Sequence, residues 1–212
     1  MTNTATNARQ SLVAVPGDLG DAIVVISGLP RSGTSMMMHV LQAGGITAMT
    51  DHARTPDIDN PKGYYEFEQV KQLPQGDAGW LDAARGKSVK VISALLMHLP
   101  PTHIYRVIFM KRHLAEVLDS QHKMLVHRGQ ALTQADAATE DSMAALLQQH
   151  LVDVRCWLAS QPNMLLFDAD YNAMLANPAT WVAQINRFLG GNLNVDAMRA
   201  AVDDTLYRNR AS

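Results

Sequence analysis

Ala22-Ile23-Val24-Val25-Ile26-Ser27-Gly28-Leu29-Pro30-Arg31-Ser32-Gly33-Thr34-Ser35 is the stretch on which the fold turns. Its first half is a β-branched run with no polar–apolar alternation, the pattern of a strand buried on both faces of a parallel sheet. Residues 28–33 then read as a turn, and residues 34–43 as a helix stopped by Gly44-Gly45. A glycine-rich turn between a strand and a helix is suited to holding a phosphate. Glycines let the backbone approach closely, successive N–H groups form a concavity, and the helix N-terminus adds positive potential. Arg31 brings a full charge and a fork of donors, and Ser32, Thr34 and Ser35 bring hydroxyls.

Working outward, the same signals recur. Val89-Lys90-Val91-Ile92-Ser93 reads as a second strand and Tyr105-Arg106-Val107-Ile108-Phe109-Met110 as a third. Apolar residues at helical spacing then predict a helix over 114–127. A longer helix over 140–160 carries Met143, Leu146, Leu147, Leu151, Val154 and Leu158 on one stripe. Met164-Leu165-Leu166-Phe167 is a fourth strand, Asn177-Pro178 opens a helix over 179–189 ended by Gly190-Gly191, and residues 195–206 read as a final helix. Residues 46–80 are irregular apart from a short helix over 66–73. Strands alternating with helices predict an α/β fold, a three-layer α/β/α arrangement around a central parallel sheet. Residues 1–21 read as a flexible arm and 22–212 as a single domain.

Composition narrows the function. With 18 Lys+Arg against 20 Asp+Glu in 212 residues the net charge is −2, which argues against a nucleic-acid partner. The 18% charged content is low, consistent with a large core or a buried partner surface, and the oligomeric state stays open. The single cysteine, Cys156, excludes an internal disulfide and a cysteine zinc cluster and is expected to be a buried small hydrophobe. No apolar run approaches the roughly 18 residues of a spanning helix, and the polar residues 1–10 do not form a secretory signal, so no membrane partner and a cytoplasmic location are expected. The eight histidines are scattered without metal-ligand spacing, and no metal is expected.

The turn has the spacing of the nucleotide-triphosphate loop Gly-x-x-x-x-Gly-Lys-[Ser/Thr], but Thr34 stands at the lysine position. An anion is expected there, and an ordinary ATP or GTP hydrolase is not. Pro30-Arg31-Ser32-Gly33-Thr34-Ser35 instead resembles the 5′-phosphosulfate loop of the sulfotransferase family, Pro-[Lys/Arg]-Ser-Gly-Thr-[Thr/Ser]. The family's second motif pairs an Arg at a strand end with a Ser eight residues later, and Arg112 and Ser120 match it. Eight helical residues rise about 12 Å at most, a gap that a long Arg and a phosphate can bridge. The stretch 165–178 and Phe188-Leu189-Gly190 resemble the family's later segments, and Asn60-Pro61-Lys62-Gly63-Tyr64-Tyr65-Glu66 looks like a stretch of its small bacterial members.

The resemblance implies a P-loop-like sulfotransferase fold and transfer of a sulfuryl group from 3′-phosphoadenosine-5′-phosphosulfate (PAPS) to a small-molecule acceptor. It implies that Arg31, Ser32, Gly33, Thr34 and Ser35 hold the 5′-phosphosulfate, that Arg112 and Ser120 hold the 3′-phosphate, and that Tyr171 lies near the adenine. Asn172 departs from the usual glutamate. Lys90 matches the family's strand lysine, with a possible catalytic role beside Arg31, but Ile92 occupies the position of the histidine base of animal members. The C-terminal Arg-Lys-Gly-like loop is absent, and Arg208 and Arg210 are candidate substitutes. A base must still accept the acceptor's proton. Glu66, after a Gly-aromatic pair, is the first candidate, followed by Asp51, a carboxylate soon after the loop, and then His52 or His98. Tyr64, Tyr65 and Trp80 are acceptor-pocket, lid or core residues, and Met36, Met37 and Met38 are expected to be core. Two alternatives stay open: a nucleotide or nucleoside kinase, with Asp168 after the fourth strand holding magnesium, and a nucleotide-binding protein without catalysis.

Overall fold

The computed structural model describes residues 19–51, 63–127 and 136–202. The greater part of the expected arm, together with His52, Arg208 and Arg210, lies outside the described residues. Four strands form one all-parallel sheet: β1 (Ile23–Gly28), β2 (Ser88–Lys90), β3 (Tyr105–Lys111) and β4 (Met164–Asp170), in the order β2-β1-β3-β4. All six residues of β1 are buried, as a central strand with both faces covered demands. The pleat divides the core in two. Ile23, Val25, Tyr105, Val107 and Phe109 face one cluster, and Val24, Ile26, Ile108 and Met110 face the other.

Helix α1 (Thr34–Ala43) covers the second face with Met37, Met38, Val40 and Leu41, together with α5 (Pro178–Phe188) and α6 (Val195–Ala201). The first face is covered by Val154 and Leu158 of α3 (Asp136–Ala159) and by 3-10 turns. Helix α2 (Leu114–His127) follows β3 as its periodicity predicts. The layers are therefore α/β/α, as expected. Asn177 caps α5 by accepting from Thr180 N at 3.3 Å with Pro178 in the first turn, which is why the Asn-Pro signal starts a helix there.

Several expectations need correction. Strand β2 is three residues long instead of running over 89–93, because Ser93 already begins a 3-10 helix (Ser93–His98). The helix expected over 66–73 is a 3-10 helix, Glu68–Gln75, with Pro74 inside it. A one-and-a-half-turn helix, α4 (Tyr171–Ala176), stands where only a tyrosine-bearing segment was expected, capped by Asp170, whose carboxylate accepts from Ala173 N at 2.9 Å. Cys156 is exposed. It lies two residues from both Val154 and Leu158, which face the sheet, and at about 3.6 residues per turn that points it the other way. Met143 and Leu146 of the same helix are also exposed. The α3 residues buried in the sheet's core, Val154 and Leu158, lie in its second half, whereas Met143 and Leu146 lie in its first. Trp80 is core, packed edge-on against Phe67 with ring centroids 5.3 Å apart.

Candidate functional site

The carboxyl ends of parallel strands are where an open α/β sheet places its ligands, and the loop after β1 lies there. Arg31 holds φ at 70°, a left-handed conformation that costs a non-glycine residue on the order of 1 kcal/mol. Gly33, at φ 99°, caps α1 without a side chain. A Cβ on Gly33 would come within 2.4 Å of the Tyr171 ring, so the loop backbone rests directly on that ring. The first helical bond of α1 runs from Met37 N to Gly33 O at 3.1 Å, which leaves the amides of Thr34, Ser35 and Met36 without helical acceptors. Ser32 is buried, and its hydroxyl has no partner among the described residues. A buried unpaired hydroxyl beside orphan amides and a cation suits an anion.

The second motif lies against this loop. Arg31 Nε donates to Ser120 Oγ at 3.0 Å, and Arg112 Nη1 donates to the Arg31 carbonyl at 3.1 Å. Residues 89 and 81 positions apart in sequence thus share one cluster. The Arg112 guanidinium lies over the Tyr171 ring at 4.7 Å, so this ring supports both Gly33 and Arg112. Arg112 is also paired with Glu116, its Nε donating to Oε2 at 2.9 Å, with side chains only 7% and 3% exposed. Asn172 Nδ2 donates to both Glu116 oxygens at 3.0 and 3.1 Å.

Lys90 and the base candidates belong to a neighbouring region. Lys90 Nζ donates to the Tyr64 carbonyl, which also accepts from Ser35 Oγ at 3.4 Å. Residues 64–68 therefore form a strap tied to β2 and to the start of α1. Tyr65 has φ 51°. Its hydroxyl donates to Gln42 Oε1 at 2.9 Å and lies 3.2 Å from His39 Nδ1, and burial pushes its phenol pKa up. Glu66 is half-buried, and its carbonyl accepts from Thr50 Oγ1 at 3.0 Å and from Asp51 N at 3.3 Å. The Asp51 carboxylate accepts from Glu68 N at 2.7 Å, a cap for the 3-10 helix that follows. His98 is exposed at the end of its 3-10 helix.

Asp168 is held elsewhere. It is on edge strand β4, with β3 between it and β1, and accepts from Arg155 Nη2 at 2.7 Å. The hydrogen-bonded Arg155 guanidinium holds its carboxyl below the usual carboxylate range. Among the described residues there is no group of three or more His, Cys, Asp or Glu that could hold a metal ion, and no helix is long and apolar enough to cross a membrane. Sequence reading missed Glu116, the role of Asn172, and the contact of Ser93 Oγ with His150 Nε2 at 2.9 Å. Only Glu116 carried a local signal, an acid one helical turn after Arg112.

Comparison with known proteins places the family and the fold. A search of curated proteins finds no match. Among solved structures, the sulfotransferase domain from the curacin biosynthetic pathway is similar over 92% of this chain and 87% of that one, with 16% identity and a TM-score of 0.50. The sulfotransferase domain from the Synechococcus PCC 7002 olefin synthase is similar over 90% and 80%, with 15% identity and a TM-score of 0.49. Retinol dehydratase in complex with androsterone and the inactive cofactor PAP is similar over 85% and 63%, with 18% identity and a TM-score of 0.36. At 16% identity the likeness to the curacin-pathway domain concerns the fold alone. The sulfotransferase domain family matches residues 21–210. That span holds the β1 loop, Arg112, Ser120 and Tyr171, and the chain belongs to the sulfotransferase family.

Proposed function

We propose that the chain transfers a sulfuryl group from PAPS to the hydroxyl or amine of a small molecule. The observation that carries this reading is the interlocking of the two phosphate motifs, Arg112 bonded to the Arg31 carbonyl and Ser120 bonded to the Arg31 side chain. A nucleotide with a phosphate group at each end of its ribose needs two cationic positions close together. A nucleoside triphosphate needs a single run of donors.

In this reading the amides of residues 33–35, the Ser32 hydroxyl and Arg31 take the 5′-phosphosulfate, Arg112 and Ser120 take the 3′-phosphate, and Tyr171 underlies the nucleotide beside them. The donor supplies an activated sulfuryl group, whose sulfur bonds to the acceptor oxygen or nitrogen as its bond to the 5′-phosphate oxygen breaks. Arg31 and the loop amides stabilise the negative charge gathering on the departing phosphate, as preorganised donors do. Lys90, tied through Tyr64 to the start of α1, is the second cation on that side. Glu66 is the proposed base for the acceptor's proton. Asp51 is less suited, because its carboxylate already caps a helix. A magnesium-dependent kinase has less support, since Asp168 is paired with Arg155 and Thr34 replaces the loop lysine.

The test is calorimetry with adenosine 3′,5′-bisphosphate and with ATP, followed by transfer of label from sulfur-labelled PAPS across a panel of phenols, alcohols and amines. The expected result is tighter binding of the bisphosphate and label on at least one acceptor. Tighter binding of ATP would overturn the reading.

A further inference from the structure

Arg112 cannot set its own orientation. A guanidinium on a flexible stem presents its donors usefully only when its plane is fixed. Contacts that hold it among the described residues include the Tyr171 ring beneath it at 4.7 Å, the Arg31 carbonyl at 3.1 Å, and the Glu116 carboxylate at 2.9 Å. Of these only Glu116 carries charge. An acid in the first turn of a helix favours the macrodipole wherever it points, but that role does not require burial, and Glu116 is only 3% exposed. Its two oxygens are both in use. Oε2 accepts from Arg112, and the Asn172 amide donates to Oε1 and Oε2 at 3.0 and 3.1 Å. Asn172 comes from α4, 56 positions along the chain, so the carboxylate is held from a second element. A carboxylate at position 172 would face Glu116 as a like charge, whereas the amide donates to it.

We propose that Glu116, held by Asn172, is a positioning residue that fixes the plane of Arg112 and so sets how strongly the site prefers a nucleotide bearing a 3′-phosphate. This rests on the reading that Arg112 serves that phosphate. Glu116 touches neither nucleotide nor acceptor in this scheme and acts only through Arg112. It also has an opposing effect, since its charge partly neutralises the guanidinium. The proposal is that fixed orientation outweighs that loss.

The test is the ratio of the dissociation constants of adenosine 5′-monophosphate and adenosine 3′,5′-bisphosphate, measured by calorimetry on the full chain. The variants are Glu116→Ala, Glu116→Gln, Arg112→Gln and the double variant Glu116→Gln/Arg112→Gln. The wild-type ratio should be well above ten. Glu116→Ala should lower it at least tenfold while changing the monophosphate affinity less than twofold. Glu116→Gln keeps the shape and serves if the alanine variant does not fold. It should lower the ratio at least threefold, because one amide oxygen cannot accept from Arg112 and Asn172 as two carboxylate oxygens do. The double variant should match Arg112→Gln alone, as expected of a residue acting through Arg112. A purely structural role would weaken both nucleotides alike and leave the ratio unchanged, which would overturn the proposal. A rise in the ratio would overturn it too, showing that neutralisation outweighs orientation. A wild-type ratio near one would overturn the underlying assignment of Arg112. A high wild-type ratio that the Glu116 variants retain would overturn this inference alone.

Discussion

The loop after β1 and the strap at residues 64–68 both lie at the carboxyl ends of the strands, yet they are held in different ways. Around the loop most anchors join side chain to side chain, Arg31 to Ser120, Arg112 to Glu116 and Glu116 to Asn172, with the Arg31 carbonyl accepting from Arg112 besides. The strap is tied mainly through its backbone. The Tyr64 carbonyl accepts from Lys90 and Ser35, and the Glu66 carbonyl accepts from Thr50 and Asp51. Charged bonds in a buried place fix both identity and geometry, which suits a nucleotide whose phosphates never vary. A segment held by its main chain keeps its course while its side chains change, which suits the side of the site that must fit an acceptor.

The largest expected effect tests the charged half. Arg112→Ala would remove the guanidinium paired with the buried Glu116 carboxylate, and the loss of stability in urea unfolding should be about 3–5 kcal/mol. A loss below about 1 kcal/mol would mean that the pair is no more than a surface contact. Gly33→Ala comes next. Its new Cβ would meet the Tyr171 ring at 2.4 Å with φ at 99°, so a loss of about 2–3 kcal/mol is expected in thermal unfolding, along with weaker bisphosphate binding. An unchanged melting temperature would contradict the packing of the loop on that ring.

The strap should respond less. Tyr65→Phe removes the hydroxyl bonded to Gln42 and adjacent to His39, and should cost about 1 kcal/mol of stability. Bisphosphate affinity should stay within twofold, and a tenfold loss there would erase the distinction between the two regions. Asp168→Asn, outside both, is the smallest. Its folded carboxyl titrates below the ordinary value, so its contribution is present above about pH 4 and fades as pH falls through the lower folded value. With that side chain 33% and Arg155 40% exposed, the contribution is screened to about 1 kcal/mol or less. The variant should flatten the stability profile between neutral and acid pH in urea titrations and leave nucleotide affinity unchanged. A large loss of affinity would return Asp168 to the site.

How legible each part was follows the same division. The loop could be read as an anion site because strand, glycine turn and helix start lie on one short contiguous stretch, whereas Arg112 and Ser120 drew notice only through the family motif they resemble. Strand β1 could be read because both its faces are buried, so it has no alternation to misread. Glu116 with Asn172, and Ser93 with His150, are 56 and 57 positions apart, and local pattern does not encode such pairs. The exposed Met143 and Leu146 show the converse limit. Periodicity identifies the apolar side of α3 but not which part of that side is buried in the core. The strap was legible only as an irregular stretch, because its anchors are carbonyls, which every residue has.

The most direct test is a crystal structure of the chain with adenosine 3′,5′-bisphosphate. One molecule should bridge the cluster, its 5′-phosphate on the amides of residues 33–35 and the Ser32 hydroxyl with Arg31, and its 3′-phosphate between Arg112 and Ser120. A nucleotide bound away from Arg112, or both phosphates gathered on the loop alone, would contradict the account.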